Sequence, residues 1–219
     1  MKQDYTHITI ILDRTGSMES IRDDTIGGFN AFLNQQKTEP GSATLTLVQF
    51  DTQDPYEVVH QFLPLALVPA LTRETYVPRA GTPLLDAMGR GINDLDEKIA
   101  LLKDDDRPSK VVLVVVTDGQ ENSSREFNKA QIEKMITEKT TKNSWQFVFL
   151  SADLAAINDA IGVGIHPNST LAFKKDAKGS ADAWSSLNAR TADYRASRKK
   201  KLDFDPDDRK HPDDKNAPK

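Results

Sequence analysis

The chain has 219 residues, a length that suggests one domain, or one domain with an appendage. Its hydrophobic fraction is 37% and its charged fraction 28%, so we expect part of it to lie outside any core. The absence of cysteine excludes disulfide bonds and thiolate-bound zinc, and favours a reducing compartment. No stretch approaches the roughly 18 apolar residues of a membrane helix, and the apolar run near the N-terminus is too short for a signal peptide. These features predict a soluble, cytoplasmic protein.

The net charge of −4 is unevenly distributed along the chain. Residues 1–194 carry 27 acidic and 20 basic side chains, whereas residues 195–219 carry six acidic and nine basic ones. We expect no nucleic-acid binding from an acidic body, because contacts with phosphates need clustered positive charge. After residue 195 the chain is rich in charge and proline. We therefore predict one domain over residues 1–195 and a charged, largely disordered tail over residues 196–219.

Hydrophobic periodicity divides the predicted domain into alternating strands and helices. His7 to Leu12 is a short β-branched run, and Lys110 to Val116 has the strongest strand character in the chain. The link between the strands at 43–50 and 56–65 is so short that it demands an antiparallel pair. Strands are predicted at 7–12, 43–50, 56–65, 110–116, 145–150 and 169–173, and helices at 17–36, 83–102, 124–139, 152–161 and 178–194.

This alternation predicts an α/β fold with a mostly parallel sheet, and the hairpin supplies one antiparallel edge. In such folds, ligands bind at the carboxyl ends of strands, near the point where the strand order reverses. Three segments place oxygen-bearing side chains there: residues 13–17 after the first strand, Thr82 before the second predicted helix, and Asp118 after the strand at 110–116.

The oxygen atoms of these segments predict a site for one divalent cation. Thr15 and Ser17 follow Asp13 by two and four residues, so one tight turn can direct three oxygens inward. Carboxylates and hydroxyls suit Mg²⁺, Mn²⁺ or Ca²⁺ rather than zinc, and Mg²⁺ is favoured because it keeps some of its water. A partner's carboxylate can then fill a remaining position on the ion. The predicted metal ligands are Asp13, Thr15, Ser17, Thr82 and Asp118.

These motifs resemble those of the von Willebrand factor type A domain, in its intracellular prokaryotic or phage form. In that family an Asp-x-Ser-x-Ser sequence, a distant Thr and a distant Asp form the metal-ion-dependent adhesion site. The segment 13–17 is similar to the first motif, Gly81-Thr82-Pro83-Leu84 to the second, and Thr117-Asp118-Gly119 to the third. Thr15 stands where Ser is commoner, which keeps a hydroxyl but leaves the preference among metals open.

The resemblance covers about residues 5–195. It implies a doubly wound, six-stranded sheet with one antiparallel edge strand, flanked by helices. It also implies a non-enzymatic module, in which an Asp or Glu of a protein partner completes the metal shell. The family's counterparts of Asp13 and Ser17 usually bind the ion directly, whereas the counterpart of Asp118 often acts through water. In relatives the last helix, here 178–194, can slide when ligand binds.

Two other functions and one structural explanation stay open at this point. The segment 13–17 also resembles the Asp-Lys-Thr-Gly-Thr of P-type ATPases, which would make Asp13 the nucleophile of a haloacid-dehalogenase-like phosphatase. Soluble phosphatases of that kind usually carry a second Asp at the position of Thr15. A second possibility is a scaffold whose metal only stabilises the fold. The structural explanation is that Ser17 and Thr82 merely cap helices.

Overall fold

The computed structural model describes residues 2–209 of the chain. Within that range, six strands and five α-helices follow one another in an α/β order. None of these helices is long and apolar enough to cross a membrane. The elements are β1 (Lys2–Asp13), α1 (Arg22–Thr38), β2 (Ser42–Phe50), β3 (Glu57–Pro64), α2 (Leu84–Leu101), β4 (Pro108–Thr117), α3 (Lys129–Asn143), β5 (Gln146–Ser151), α4 (Leu154–Gly162), β6 (Thr170–Ala172) and α5 (Ala177–Arg195).

The six strands form one sheet in the order β3-β2-β1-β4-β5-β6. Every neighbouring pair is parallel except β2 and β3, which are antiparallel. In the centre of the sheet, Ile8 of β1 lies opposite Leu45 of β2 and Val112 of β4. The predicted six-stranded, mostly parallel sheet with one antiparallel edge strand is therefore confirmed.

Helices cover both faces of the sheet, which explains why the central strands are apolar at almost every position. Along β1, Ile8 and Ile10 face the core that α1 and α5 complete, whereas Ile11 faces the core formed with α2, α3 and α4. On the first face, Phe29 and Phe32 of α1 pack against Trp184 of α5. Two separate hydrophobic cores therefore hold the central strands, whose carboxyl ends carry the predicted ligands.

Two predicted helices begin later than the sequence pattern indicates. The helix predicted at 17–36 starts as a 3-10 turn over Gly16–Ile21 and becomes an α-helix only at Arg22. The helix predicted at 124–139 occupies Lys129–Asn143, because Asn128 and Gln131 form a capping box at its start. In both cases, the residues directly after a metal motif form a loop or tight turn instead of an α-helix.

The predicted disorder after residue 195 is wrong for residues 196–209. Leu202 is fully buried and Phe204 is 4% exposed, and both belong to the core beside α1 and α5. The Phe204 amide donates to the carbonyl of Asn168 at 2.8 Å, and Asp205 pairs with Arg190. The prediction relied on the average composition of this charged stretch, which does not show that two of its hydrophobic residues pack into the core. The part of the prediction for residues 210–219 lies outside the described residues.

His7 is a packed histidine inside β1, not a surface residue. Its ring is fully buried, stacks on Phe62 with centroids 3.7 Å apart, and forms hydrogen bonds with the hydroxyls of Thr44 and Thr9. Burial lowers the pKa of His7 to about 3, because the charged imidazolium would lose its hydration. The ring is therefore neutral in the folded protein at neutral and mildly acidic pH.

This buried ring is expected to make the free energy of unfolding depend on pH. The unfolded histidine takes up a proton below pH ~6.5, whereas the folded one does so only near pH 3, so stability falls as the pH decreases through this window. Between pH 7 and pH 5, His7 should remove about 2 kcal/mol, and His7→Gln should lose that component. Urea denaturation at the two pH values measures it. Equal losses in both proteins would contradict the assignment.

Two adjacent glycines of α1 provide a matched test of helix packing. A Cβ on Gly28 would lie 2.0 Å from Cδ1 of Trp184, whereas a Cβ on Gly27 would have no neighbour within 4 Å. Gly28→Ala should therefore destabilise the protein by about 1–3 kcal/mol through overpacking. Gly27→Ala should stabilise it by about 0.5–1 kcal/mol, because glycine is unfavourable inside a helix. Thermal or chemical denaturation that showed the same effect for both would contradict this packing.

Candidate metal centre

Four of the predicted ligands, and the loop that carries Thr82, lie where the strand order of the sheet reverses. Asp13 ends β1 and Thr117 ends β4, and these two strands are parallel neighbours. The chain leaves β1 through α1 towards β2, but leaves β4 through α3 towards β5 on the other side. The two connections diverge and open a crevice at the carboxyl ends of the strands, the usual ligand position in such sheets.

Asp13 is fully buried, and three hydrogen-bond donors hold it in addition to its pairing in the sheet. One carboxylate oxygen accepts from the Thr15 amide at 2.6 Å, and the other accepts from the Thr117 hydroxyl at 2.5 Å. Its backbone carbonyl accepts from the Tyr76 hydroxyl at 2.5 Å and its backbone is paired in β1. Burial raises the pKa of Asp13 to about 6, although the hydrogen bonds oppose this rise. A nearby cation would favour the ionised form.

Hydroxyl groups connect Asp13 to the second carboxylate, Asp118. The Ser17 hydroxyl donates to Oδ1 of Asp118 at 2.6 Å, and it lies 3.2 Å from the hydroxyl of Thr15. Thr15 is buried and Ser17 is exposed, so this cluster opens to solvent at Ser17. Four of the five predicted ligands therefore form one hydrogen-bonded group.

Thr82 is positioned beside this group through its backbone. Its amide donates to Oδ1 of Asn122 at 2.9 Å, and its carbonyl accepts from the Asn122 amide at 3.1 Å. The neighbouring Ala80 carbonyl accepts from the amide of Gly16 at 3.0 Å, which joins this loop to the turn after β1. Among the described residues, no hydrogen bond links the Thr82 hydroxyl to the other four predicted ligands.

Helix capping does not account for Ser17 and Thr82. The 3-10 turn starts after Thr15 and α2 starts after Pro83, and neither end receives a hydrogen bond from the side chain of its capping residue. A carboxylate oxygen of Glu121 accepts from the Leu85 amide at 2.9 Å, so Glu121 performs the capping of α2 from a distant loop. Capping therefore leaves the lone pairs of the Ser17 and Thr82 hydroxyl oxygens available for a cation.

The loop after Asp118 is held by two acidic side chains that the sequence patterns did not single out for this role. Both oxygens of Asp86 accept backbone amides of residues 125–127 at 2.8–2.9 Å. Glu121 accepts the amides of Ser123 and Ser124 at 2.7 Å while it caps α2. These bonds explain why residues 121–127 are not helical. The sequence signal for Asp86 was its position in the first turn of α2, whereas Glu121 lies in a loop and had no such signal.

A buried ionic network fixes the turn after β1 from the opposite side. Nε of Arg14 lies 2.6 Å from Oδ2 of Asp51, and Nε of Arg79 lies 2.9 Å from the same oxygen. Burial acts to raise the pKa of Asp51, but hydrogen bonds, first from Arg79 and also from Arg14, hold it below its ordinary value. The Arg79 amide also donates to the carbonyl of Arg14 at 2.8 Å. Arg14, the second residue of the first motif, therefore connects the turn after β1 with the loop that leads to Thr82.

The donor atoms of this cluster fit a hard cation. It contains two carboxylates and two hydroxyls, and the Thr82 hydroxyl belongs to the neighbouring loop. In residues 2–209, no group of three or more His, Cys, Asp or Glu residues could hold a metal by itself, so any metal here would need the hydroxyls as well. Oδ2 of Asp118 is buried and accepts no hydrogen bond. The Lys175 ammonium lies 2.6 Å from that oxygen, but as an ion pair whose direction is unsuited to a hydrogen bond. A buried carboxylate oxygen needs a compensating positive charge, which Lys175 supplies here and which a bound cation could supply instead.

Comparisons with known proteins gave structural similarity only. No protein family model and no curated protein sequence matched the chain. Among solved structures, a von Willebrand factor type A protein from Catenulispora acidiphila has a TM-score of 0.57 at 14% identity, covering 86% of this chain and 43% of that one. The pilus adhesin SpaC from Lactobacillus rhamnosus GG has a TM-score of 0.64 at 11% identity, covering 88% and 30%.

A third similar structure contains a metal. It is proximal thread matrix protein 1 from the mussel byssus, with a zinc-occupied MIDAS motif, at a TM-score of 0.58 and 10% identity, covering 86% of this chain and 46% of that one. This chain thus spans less than half the length of each of the three. The order of its elements, its mixed sheet and these similarities agree, and the chain has the fold of a von Willebrand factor type A domain.

Proposed function

We propose that this chain is a metal-dependent protein-interaction module. One divalent cation would be held by Asp13, Thr15, Ser17, Thr82 and Asp118, and would bind an Asp or Glu side chain of a partner protein. The observation that carries this proposal is Oδ2 of Asp118, a buried carboxylate oxygen that receives no hydrogen bond and faces only a cation. It lies beside the exposed Ser17, where a partner can approach.

The existing hydrogen bonds are compatible with metal coordination. Ser17 donates its proton to Asp118, so the lone pairs of the Ser17 oxygen remain for a cation. Each carboxylate oxygen of Asp13 accepts one hydrogen bond and keeps another acceptor direction. When bound, the ion supplies positive charge and a coordination position for an anionic oxygen. Together, the Asp13 and Asp118 carboxylates balance the charge of a divalent ion, so a partner's carboxylate would add one net negative charge to the site.

Mg²⁺ is the ion that we propose, with Mn²⁺ and Ca²⁺ as alternatives. All five proposed ligands offer oxygen atoms, whereas zinc prefers nitrogen and sulfur. The zinc in the mussel protein supports divalent-metal binding by this fold, without selecting the metal for this chain. The cytoplasmic location and the prokaryotic or phage type remain predictions from the sequence.

The phosphatase alternative finds no support in the position of Asp13. A nucleophilic carboxylate needs an oxygen that can reach the phosphorus atom of a substrate. Asp13 is fully buried, so neither of its oxygens is exposed to a phosphorylated substrate. We therefore propose a binding function and no catalytic one.

Metal binding can be tested without knowledge of the partner. Asp13→Asn should weaken Mg²⁺ binding at least ~10-fold, because it removes a direct anionic ligand, and even residues that only orient ligands cost that much. Glu19→Gln is the matched control, because Glu19 is an exposed acid two residues from Ser17. Isothermal titration calorimetry should show nearly wild-type binding for this control. Equal Mg²⁺ affinities in wild type and Asp13→Asn would contradict the proposed site.

Partner binding needs a second experiment, which also separates the module from a scaffold with a structural metal. Proteins captured from the host with Mg²⁺ should be released by EDTA and should not bind to Asp13→Asn. On a captured partner, replacement of one Asp or Glu by its amide should abolish binding. If Mg²⁺ raised the melting temperature but partner capture were unchanged by EDTA, the scaffold with a structural metal would be favoured instead.

A further inference from the structure

The segment between β6 and α5 places a lysine on the proposed metal site. The Lys175 ammonium lies 2.6 Å from Oδ2 of Asp118, whose side chain is fully buried, while the lysine side chain is 38% exposed. Among the described residues, Lys175 is the only basic residue that pairs with either Asp13 or Asp118. It belongs to none of the three sequence motifs, and its position follows from the end of the short edge strand β6.

The contact has the character of a cation occupying a ligand atom. The ammonium is close enough for a strong charge interaction, yet Oδ2 receives no well-directed hydrogen bond from it or from any other described group. A divalent ion bound to the same oxygen would repel an ammonium at that distance. Metal and ammonium therefore exclude each other at Asp118.

We propose that Lys175 is an internal competitor for the metal site, and that it sets the affinity for the divalent ion. This inference rests on the proposed function. In the metal-free protein, Lys175 neutralises Asp118. Binding of the divalent ion replaces the ammonium, which then extends into solvent.

The surrounding backbone indicates that the side chain moves and the helix does not. Asp176 caps α5, since its carboxylate accepts from the Gly179 amide at 2.7 Å. A Cβ on Gly179 would lie 2.4 Å from the Lys174 carbonyl oxygen, so the turn that carries Lys175 is tightly closed. The partly exposed lysine stem, in contrast, has open solvent beside it. Replacement of the ammonium thus requires rotation of one side chain.

The far end of α5 is also fixed. The Arg195 guanidinium donates to the backbone carbonyl of Gln36 at 2.7 Å and to its side-chain oxygen at 2.9 Å. The Gln36 amide in turn donates to Asn188 at 2.6 Å, and all three residues are buried. Movement of α5 along α1 would break this network, so we place the response to metal in Lys175.

The test compares Lys175→Gln with Lys178→Gln. Lys178 is an exposed lysine in the first turn of α5 that pairs with Asp182, so its replacement removes the same charge from the same region. Titration calorimetry at fixed ionic strength should show Mg²⁺ binding ~10-fold tighter for Lys175→Gln than for wild type. Lys178→Gln should stay within about twofold of wild type, and Lys175→Arg, which keeps the charge, should gain no affinity.

A stability measurement separates direct competition from general repulsion. Without metal, Lys175→Gln should be less stable than wild type, because Asp118 loses its partner. In saturating Mg²⁺, the two proteins should be equally stable, because Lys175 has already left. By thermodynamic linkage, the loss of metal-free stability equals the gain in affinity, about 1.4 kcal/mol for a tenfold change. Equal stability without metal would overturn the proposed competition.

The outcomes also distinguish this inference from the proposed function. If wild type binds Mg²⁺ at the site but Lys175→Gln binds no tighter than Lys178→Gln, the competition is refuted and the metal site stands. If Lys175→Gln binds Mg²⁺ measurably but wild type does not, Lys175 lowers the affinity of wild type below the detection limit, which supports the competition. If neither protein binds Mg²⁺, Mn²⁺ or Ca²⁺, the proposed function fails and the inference fails with it.

Discussion

Two buried carboxylates at the ends of neighbouring strands create the electrostatic constraint on which the site depends. Asp13 ends β1 and Asp118 follows β4, and these are the two central strands of the sheet. Burial together with the charge of Asp118 raises the pKa of Asp13. Such a pair needs compensating positive charge. The structure meets that need with hydrogen-bond donors around Asp13 and with the Lys175 ammonium at Asp118. A divalent cation would meet it more completely, which is the basis of the proposed function.

The rest of the crevice serves to hold those carboxylates in place. The buried Arg14–Asp51 pair and Arg79 connect the turn after β1 with the loop before α2. Glu121 caps α2 by accepting a hydrogen bond from the Leu85 amide, so the Thr82 hydroxyl is not needed as a cap. Tyr76, which is fully buried, donates to the carbonyl of Asp13. The groups that support the site come from several loops, so that a distant change can alter the position of a ligand.

The sequence predicted the sheet and the proximity of Asp13, Thr15, Ser17 and Asp118 because both follow from local patterns. Apolar runs such as that of Lys110 to Val116 identify strands buried on both faces, and the ends of parallel strands must meet at one edge. The Asp-x-Thr-Gly-Ser spacing then brought Asp13, Thr15 and Ser17 together as expected. Neither pattern depends on contacts between remote parts of the chain. Metal binding by these residues stays a prediction.

The features that the sequence did not predict all arise from long-range contacts. Leu202 and Phe204 are buried only because the folded domain offers them a core, which the charged composition around them does not reveal. Asp86 keeps residues 125–127 out of the following helix across a distance of about forty residues. Lys175 meets Asp118 only after β6 has joined the sheet beside β5. Periodicity contains no information about such pairings.

The most direct test of the metal site is a crystal structure of the protein with Mn²⁺, measured at a wavelength that gives anomalous scattering from manganese. We predict one strong anomalous peak within coordination distance of Asp118, Ser17 and Thr82, with the Lys175 ammonium turned away from Asp118. A peak at another place would contradict the proposed site. So would crystals grown with Mn²⁺ well above millimolar concentration that show no peak and still have the Lys175 ammonium paired with Asp118.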